Sequence, residues 1–159
     1  MAKQSGTIVI VTGGFDPLHE GHIQYFIDAK KLALKNDPYN GKLWVGINSD
    51  QWLERKKGKA FQSYLTRYSI IDNLKMVDNV FLFNDDDNTA IDAIKKVREE
   101  CGQNVYIIFA NGGDRTEFNI PELEWIKKND SNSTCVFGVG GYDKINSSSS
   151  ILKKWYDAE

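Results

Sequence analysis

Apolar positions recur along this chain with two different periods, and the switches between them divide it into elements. The unbroken run Ile8-Val9-Ile10-Val11 after Thr7 shows no polar alternation, as expected of a strand at 7–11 covered on both faces. Ile23, Phe26, Ile27, Lys30, Ala33 and Leu34 then follow helical spacing. A turn cluster at 37–41 leads into a second buried run at 43–47, which ends at Asn48-Ser49-Asp50 and completes a strand–helix–strand unit. A helical segment from about 63 to 76 carries Ile70, Ile71 and Leu74 toward a core. A strand at 80–83 precedes an acidic turn at 84–88, whose Asp87 or Asn88 is placed to cap a helix through Ile91, Ile94, Val97 and Cys101. A fourth strand is read at 105–109, and Pro121 opens a helix through Leu123, Trp125 and Ile126. A fifth strand at 134–139 is followed by Ile151, Leu152 and Trp155 at helical spacing.

Strands alternating with helices predict an α/β architecture, a Rossmann-like doubly wound parallel sheet of about five strands. No repeat, linker or boundary interrupts 1–159, so a single domain is expected. Composition changes this picture little. Twenty basic against 22 acidic residues give a net charge of -2, which removes any global electrostatic case for nucleic acid or an anionic membrane. Any anion must be bound by local arrangement. The first apolar run is too short for a signal segment or a span, and a cytoplasmic location is expected. Cys101 and Cys135 fall in apolar-patterned segments and read as buried free thiols.

The chemistry concentrates in Gly13-Gly14-Phe15-Asp16-Pro17-Leu18-His19-Glu20-Gly21-His22, which holds the chain's only two histidines. A strand that empties through glycines into a helix N-terminus is a phosphate site, because unpaired backbone N–H groups and the positive end of the helix dipole converge there. Gly13 and Gly14 permit close backbone approach to an anion. Gly21 removes a side chain where helix and ligand would collide, and His19 and His22, three apart, project to one side of the first turn. Histidines at this spacing also serve as caps or packing groups, but the flanking glycines favour anion binding. A zinc site would need histidines four apart and a third ligand. The stretch lacks both the Lys-Ser/Thr ending of a P-loop and the glycine spacing of a dinucleotide fingerprint.

Three further segments leave strand ends where a parallel sheet binds ligands. Glu54-Arg55-Lys56-Lys57-Gly58-Lys59 reads as a basic loop; such runs are commonly solvated surface, but this one follows the second strand, and Arg67 falls near the start of the next helix. Ala110-Asn111-Gly112-Gly113-Asp114-Arg115 is a second glycine-rich loop, either a plain turn or a backbone contact to a base or ribose with Asp114 as recognition group. Ser147 to Ser150 would be a linker by composition, yet it abuts a helix start and so supplies a second anion-binding N-terminus. The acidic turn at 84–88 is read as a solvated helix start rather than a metal site.

The His-x-Gly-His stretch resembles the signature of the cytidylyltransferase-like nucleotidyltransferase superfamily. Lys59-Ala60-Phe61-Gln62-Ser63-Tyr64-Leu65-Thr66-Arg67 is similar to the Lys-Ala-aromatic-x-Ser-Tyr-x-x-Arg segment of bacterial glycerol-3-phosphate cytidylyltransferases. Gly112-Gly113-Asp114 resembles a loop of that group and of heptose-phosphate adenylyltransferases, and Ser147 to Ser150 resembles the family's serine/threonine helix start. Asp143-Lys144-Ile145-Asn146 departs from the Arg-Thr-Glu-Gly lead-in of the cytidylyltransferases, replacing a bidentate fork with the point charge of Lys144.

The resemblance implies transfer of a nucleoside monophosphate from CTP, or ATP, to a small phosphorylated polyol or sugar such as glycerol 3-phosphate, with release of pyrophosphate. The alternatives are a heptose 1-phosphate-like adenylyltransferase and a nucleotide sensor without turnover. His19, His22, Lys59 and Arg67 are the expected catalytic residues. Gly13, Gly14, Phe15, Gly21, Gly112, Gly113, Asp114, Ser148, Ser149 and Ser150 are the expected nucleotide contacts, and Asp16, Asp50, Lys56 and Lys144 the expected substrate contacts. Mg2+ would arrive with the nucleotide, without a dedicated carboxylate cage. A homodimer is expected, with Trp52 and Tyr64 as exposed aromatics, and neither nucleic acid nor membrane as partner.

Overall fold

The computed structural model describes residues 6–113, 115–117, 120–141 and 146–158; Asp114 and Lys144 lie outside the described residues. In chain order the elements are β1 (Gly6–Gly13), α1 (Glu20–Asn36), β2 (Lys42–Ile47), α2 (Asp50–Lys57), α3 (Tyr64–Asp72), β3 (Asn79–Leu82), α4 (Ile91–Cys101), β4 (Val105–Ala110), α5 (Pro121–Asn129), β5 (Ser133–Val136) and α6 (Ser148–Asp157). All the strands pair in parallel, in the order β3-β2-β1-β4-β5. This is the doubly wound Rossmann-like sheet that the alternation predicts.

Right-handed crossovers dictate which helix covers which face. Val9 and Val11 on β1 meet Phe26, Ala29 and Ala33 of α1 and Ile71 of α3. Ile8 and Ile10, pointing the other way, meet Ala93, Ile94 and Val97 of α4 and Ile126 of α5. Both faces are apolar, and that is why β1 reads as an unbroken hydrophobic run. From β1 the chain winds outward to β3, then crosses back to β4. A crevice therefore opens between the carboxyl ends of β1 and β4, where successive connections leave in opposite directions.

Several boundaries differ from the sequence expectation. The supposed basic loop is the last turn of α2: Ser49 Oγ accepts from Trp52 N at its start, and Gly58 closes it in the left-handed region with φ 91°. Arg55, Lys56 and Lys57 thus complement the helix dipole at its negative end. Helix α3 ends at Asp72 rather than near 76, and β5 ends at Val136 rather than 139. Neither Asp87 nor Asn88 caps α4. Asp87 instead accepts from the backbone and hydroxyl of Thr89, Asn88 sits at φ 63°, and the cap position falls on Ala90. Among the described residues, no helix is long and apolar enough to cross a membrane.

Candidate active site

The two histidines are bound to the backbone before any ligand is considered. His19 is the N-cap of α1, and its Nδ1 accepts from Gly21 N at 3.0 Å. His22 Nδ1 accepts from His19 N at 3.2 Å. Each satisfies a donor near the helix start reciprocally, the logic of a capping box built from imidazoles. The consequence is chemical. A neutral imidazole that accepts at Nδ1 carries its proton on Nε2, so both rings are fixed as Nε2–H donors. The rings stack at 3.8 Å between centroids, and His22 meets the edge of Phe15. Burial, reinforced by His19 and Lys57, pushes the His22 pKa down to about 3. Burial also lowers His19, with Lys57 adding to it and Glu20 opposing it. Both are therefore neutral near pH 7 and act through a bond dipole rather than a full charge.

Gly21 lines the first of the cavities described below, and a Cβ there would come 2.8 Å from His19 Cε1, so the glycine also makes room for the His19 ring. At Gly14 a Cβ would come 2.8 Å from Leu53 Cδ2, so that glycine lets β1 pass against α2. Phe15, expected to touch nucleotide, is buried at a positive φ of 52° and packs on Phe26 and His22. A strained aromatic backbone of this kind persists only where its surroundings over-determine it. Asp16 supplies part of that determination. Its carboxylate is buried and accepts from Phe61 N at 2.6 Å and Gln62 N at 2.7 Å. That use corrects the expectation that Asp16 contacts substrate.

Arg67 requires the larger correction. Its side chain is fully buried and donates to Gln62 O, Gly14 O, Asn48 O and Asp50 Oδ1. It staples the ends of β1 and β2 to the start of α2, with no face left for an anion. Asp50, expected at the substrate, is its ion-pair partner at 2.6 Å. Lys59 is exposed and lines neither of the cavities described below. Lys57 is exposed too but lines the first cavity: its Nζ lies 3.5 Å from Asp16 O, and partial desolvation lowers its pKa while Asp16 opposes the shift. Lys57 was legible only once α2 is recognised as a helix, because it falls four residues after the buried Leu53, on the same face.

The crevice holds two adjoining cavities. The first, about 400 Å³, is lined by His19, His22, Lys56 and Lys57, by Gly112 and Gly113, and by the start of α6 from Ser147 to Ser149. Ser147 caps α6 by accepting from Ser150 N at 3.0 Å, and Ser148 Oγ donates to Pro17 O at 2.8 Å. Asn146 Nδ2 donates to Glu20 Oε1. These bonds set the start of α6 beside the start of α1, and the N–H groups of Ser148 and Ser149 are the first donors of a new helix. Ser150 uses its hydroxyl within the cap and does not line the cavity. The second cavity, about 300 Å³, lies under β4 and α5 and is lined by Thr12, Asn48, Thr89, Asn111, Arg115 and Glu122 among others. Gly14, His22, Tyr25, Trp52, Lys56 and Gly112 border both. Sequence reasoning missed Tyr25, whose hydroxyl donates to Ala110 O, and the cavity role of Trp52, over which Lys56 Nζ sits at 4.6 Å. Neither Trp52 nor Tyr64 is the exposed aromatic expected.

The model of the cytidylyltransferase-like family matches residues 10–154. The bifunctional protein HldE of Campylobacter fetus is 31% identical over 128 residues, 79% of this chain and 24% of that protein. The HldE of Blochmanniella floridana is 41% identical over 81 residues, 50% of this chain and 15% of that protein. The chain thus spans about a quarter of the length of the first of these relatives, and less of the second. Among solved structures, a lipopolysaccharide core biosynthesis protein from Thermoplasma volcanium superposes with a TM-score of 0.63 at 29% identity, covering 86% of this chain and 98% of that one. A putative nicotinate-nucleotide adenylyltransferase from Vibrio parahaemolyticus, at 14% identity and TM-score 0.59 over 97% of this chain and 89% of its own, shares the fold.

Proposed function

This chain belongs to the cytidylyltransferase-like family of nucleotidyltransferases, and on that premise we propose that it transfers a nucleoside monophosphate from a triphosphate to a sugar phosphate. The observation that carries the reading is the first cavity. Two helix starts face one another across it, and two imidazoles are fixed there as neutral Nε2–H donors. A triphosphate suits this arrangement, with its inner phosphates at the histidines and its outer ones at the N–H groups of α6. An acceptor phosphate oxygen bonds to the α-phosphorus as the bond to the bridging oxygen breaks, and pyrophosphate leaves. Chemistry of this kind needs positioning and charge neutralisation, not a covalent nucleophile. His19 and His22 donate to oxygens that gain charge as the bridge opens, while Lys57 and Lys56 add positive charge.

Mg2+ bound to the triphosphate would neutralise part of its charge. In this reading the ion arrives with the nucleotide; among the described residues no cluster of three or more His, Cys, Asp or Glu is placed to hold a metal. The resemblance of Gly112-Gly113-Asp114 to a loop of heptose-phosphate adenylyltransferases, with the similarity to a protein of lipopolysaccharide core biosynthesis, favours a sugar phosphate acceptor, and ATP, over glycerol 3-phosphate and CTP. The segment at 59–67 that resembles glycerol-3-phosphate cytidylyltransferases argues less for that acceptor than the sequence suggests, because Ser63 serves there as a cap and Arg67 as a staple. A cytoplasmic setting and a homodimer belong to the same reading. Exposed Phe61 and Leu65 are the apolar groups such a dimer would cover, and sedimentation at micromolar concentration showing only monomer would remove it.

The test is a pyrophosphate-release screen of four nucleoside triphosphates against a panel of sugar and polyol phosphates. The expected result is release with ATP or CTP and a sugar phosphate. Measurable nucleotide binding without release from any pair would make the protein a nucleotide sensor instead.

A further inference from the structure

The second cavity contains a polar atom that the fold leaves unanswered. Glu122 is 3% exposed and lines that cavity near the start of α5. Its Oε1 accepts from Ala90 N at 2.8 Å, tying α5 to the start of α4. Its Oε2 is buried with no hydrogen-bond partner. A buried carboxylate oxygen without a donor is costly, and such atoms in folded proteins call for a partner that the protein alone does not supply. The neighbouring walls are polar as well: Asn111, 5% exposed, and Asn48, 7% exposed, stand there with Thr12 and Thr89. Amide, hydroxyl and carboxylate groups around a small cleft suit a ligand rich in hydroxyls.

We propose that Glu122 recognises a hydroxyl group on the carbon skeleton of the acceptor, which makes the second cavity the site of a polyhydroxylated sugar phosphate. The inference rests on the transfer reading for the orientation of the acceptor. Its phosphate end belongs at the junction of the cavities, where His22 and Lys56 line both. Glu122 lines only the second cavity, so the hydroxyl it receives lies on the part of the acceptor away from the phosphate. An acceptor with a longer hydroxylated skeleton reaches it. A site built to receive a hydroxyl discriminates strongly against a ligand without one, because the buried oxygen then stays unpaired.

Calorimetric titration of the full chain with hexose and heptose 1-phosphates, glycerol 3-phosphate, ATP and CTP tests this, alongside pyrophosphate release. At least one sugar phosphate is expected to bind the wild-type protein more tightly than glycerol 3-phosphate. Glu122→Gln, which keeps an oxygen for Ala90 N, should weaken that binding on the order of tenfold or more and leave nucleotide binding unchanged. Should that variant fail to fold, the Ala90 amide resonance of the wild type serves: it should shift on addition of the sugar phosphate and stay put with nucleotide alone. Equal sugar phosphate affinity in both proteins, no sugar phosphate binding to the wild type, or an unmoved Ala90 amide would overturn the assignment. Sugar phosphate binding that depends on Glu122, without pyrophosphate release from any pair, would leave the subsite standing and count against the transfer reading alone.

Discussion

The two helix starts that meet across the first cavity are built in opposite ways. The start of α1 is locked into the core: Phe15 is buried beneath His22, Asp16 holds the backbone of Phe61 and Gln62, and Arg67 ties Gly14 to Asn48. Among the described residues, the start of α6 is held to the start of α1 by Ser148 Oγ on Pro17 O and Asn146 on Glu20, and the helix behind it buries no residue fully, with Trp155 and Tyr156 largely exposed. One side of the site is thus preorganised by the whole fold, the other by local capping. Changes on the α1 side should cost stability as well as rate; changes at α6 should cost ligand grip alone.

The largest effect is expected at Arg67. Removing its guanidinium orphans three carbonyl oxygens and the partner carboxylate of Asp50, on the order of 3 kcal/mol given that Asp50 is partly exposed. Arg67→Ala should unfold at markedly lower denaturant or temperature, and activity should fall with the folded fraction. A variant that melts like wild type yet fails to turn over would return Arg67 to the phosphates and dissolve the contrast.

His22→Ala comes next. Losing one donor at developing charge typically costs about a hundred- to a thousandfold in rate, with nucleotide affinity changed far less, since only interactions stronger in the transition state accelerate the step. The histidines are caps too, so His19→Ala should also lose about 1 kcal/mol of stability, visible as a lower melting temperature. The pH dependence carries a definite sign. The unfolded chain protonates His22 near the ordinary value of about 6.5, whereas the folded chain holds it neutral down to about 3. Between those values the unfolded state binds more protons. This contribution to stability is therefore present above pH 6.5 and lost as pH falls toward 3. Melting curves across that window should fall less steeply for His22→Asn than for wild type.

Lys57→Ala should lower turnover by about tenfold or more through lost transition-state charge stabilisation, while Lys59→Ala should change it little. The reverse order would place the basic end of α2 differently against the triphosphate. The smallest effect belongs to α6: Ser149→Ala, which removes a hydroxyl from the cavity lining but keeps the backbone N–H, should raise the nucleotide KM only a few-fold, the scale of one hydrogen bond, and leave the melting temperature unmoved. A large stability loss there would show that α6 is as deeply anchored as α1.

What the sequence reveals follows the same division. The sheet and its connections are legible because β1, β2 and β4 are apolar on both faces and the helices carry a clear period. That the His19–His22 turn opens a helix directly after β1 is legible as well, because glycines lead from one element into the other. Three things are not. Helix α2 hides behind its own charge, since Arg55, Lys56 and Lys57 read as solvated loop although Ser49 and Gly58 mark its ends. Arg67 and Asp16 look like anion and substrate contacts because a charged residue near a strand end carries the same signature whether it meets ligand or buried backbone; only burial separates the two. Glu122 sits in an unremarkable helix start, and nothing in spacing announces an unpaired oxygen.

In the proposed reaction the site works through two neutral imidazoles tied at Nδ1 and offering Nε2–H to the triphosphate. The chain has only two histidines, so ¹⁵N-labelled imidazole spectra read both without ambiguity. At pH 7 both should show a bare Nδ1 and a protonated Nε2, with His22 keeping that state well below pH 6, and both Nε2–H signals should move when ATP or CTP is added. An imidazolium at neutral pH, a proton on Nδ1, or signals indifferent to nucleotide would contradict it.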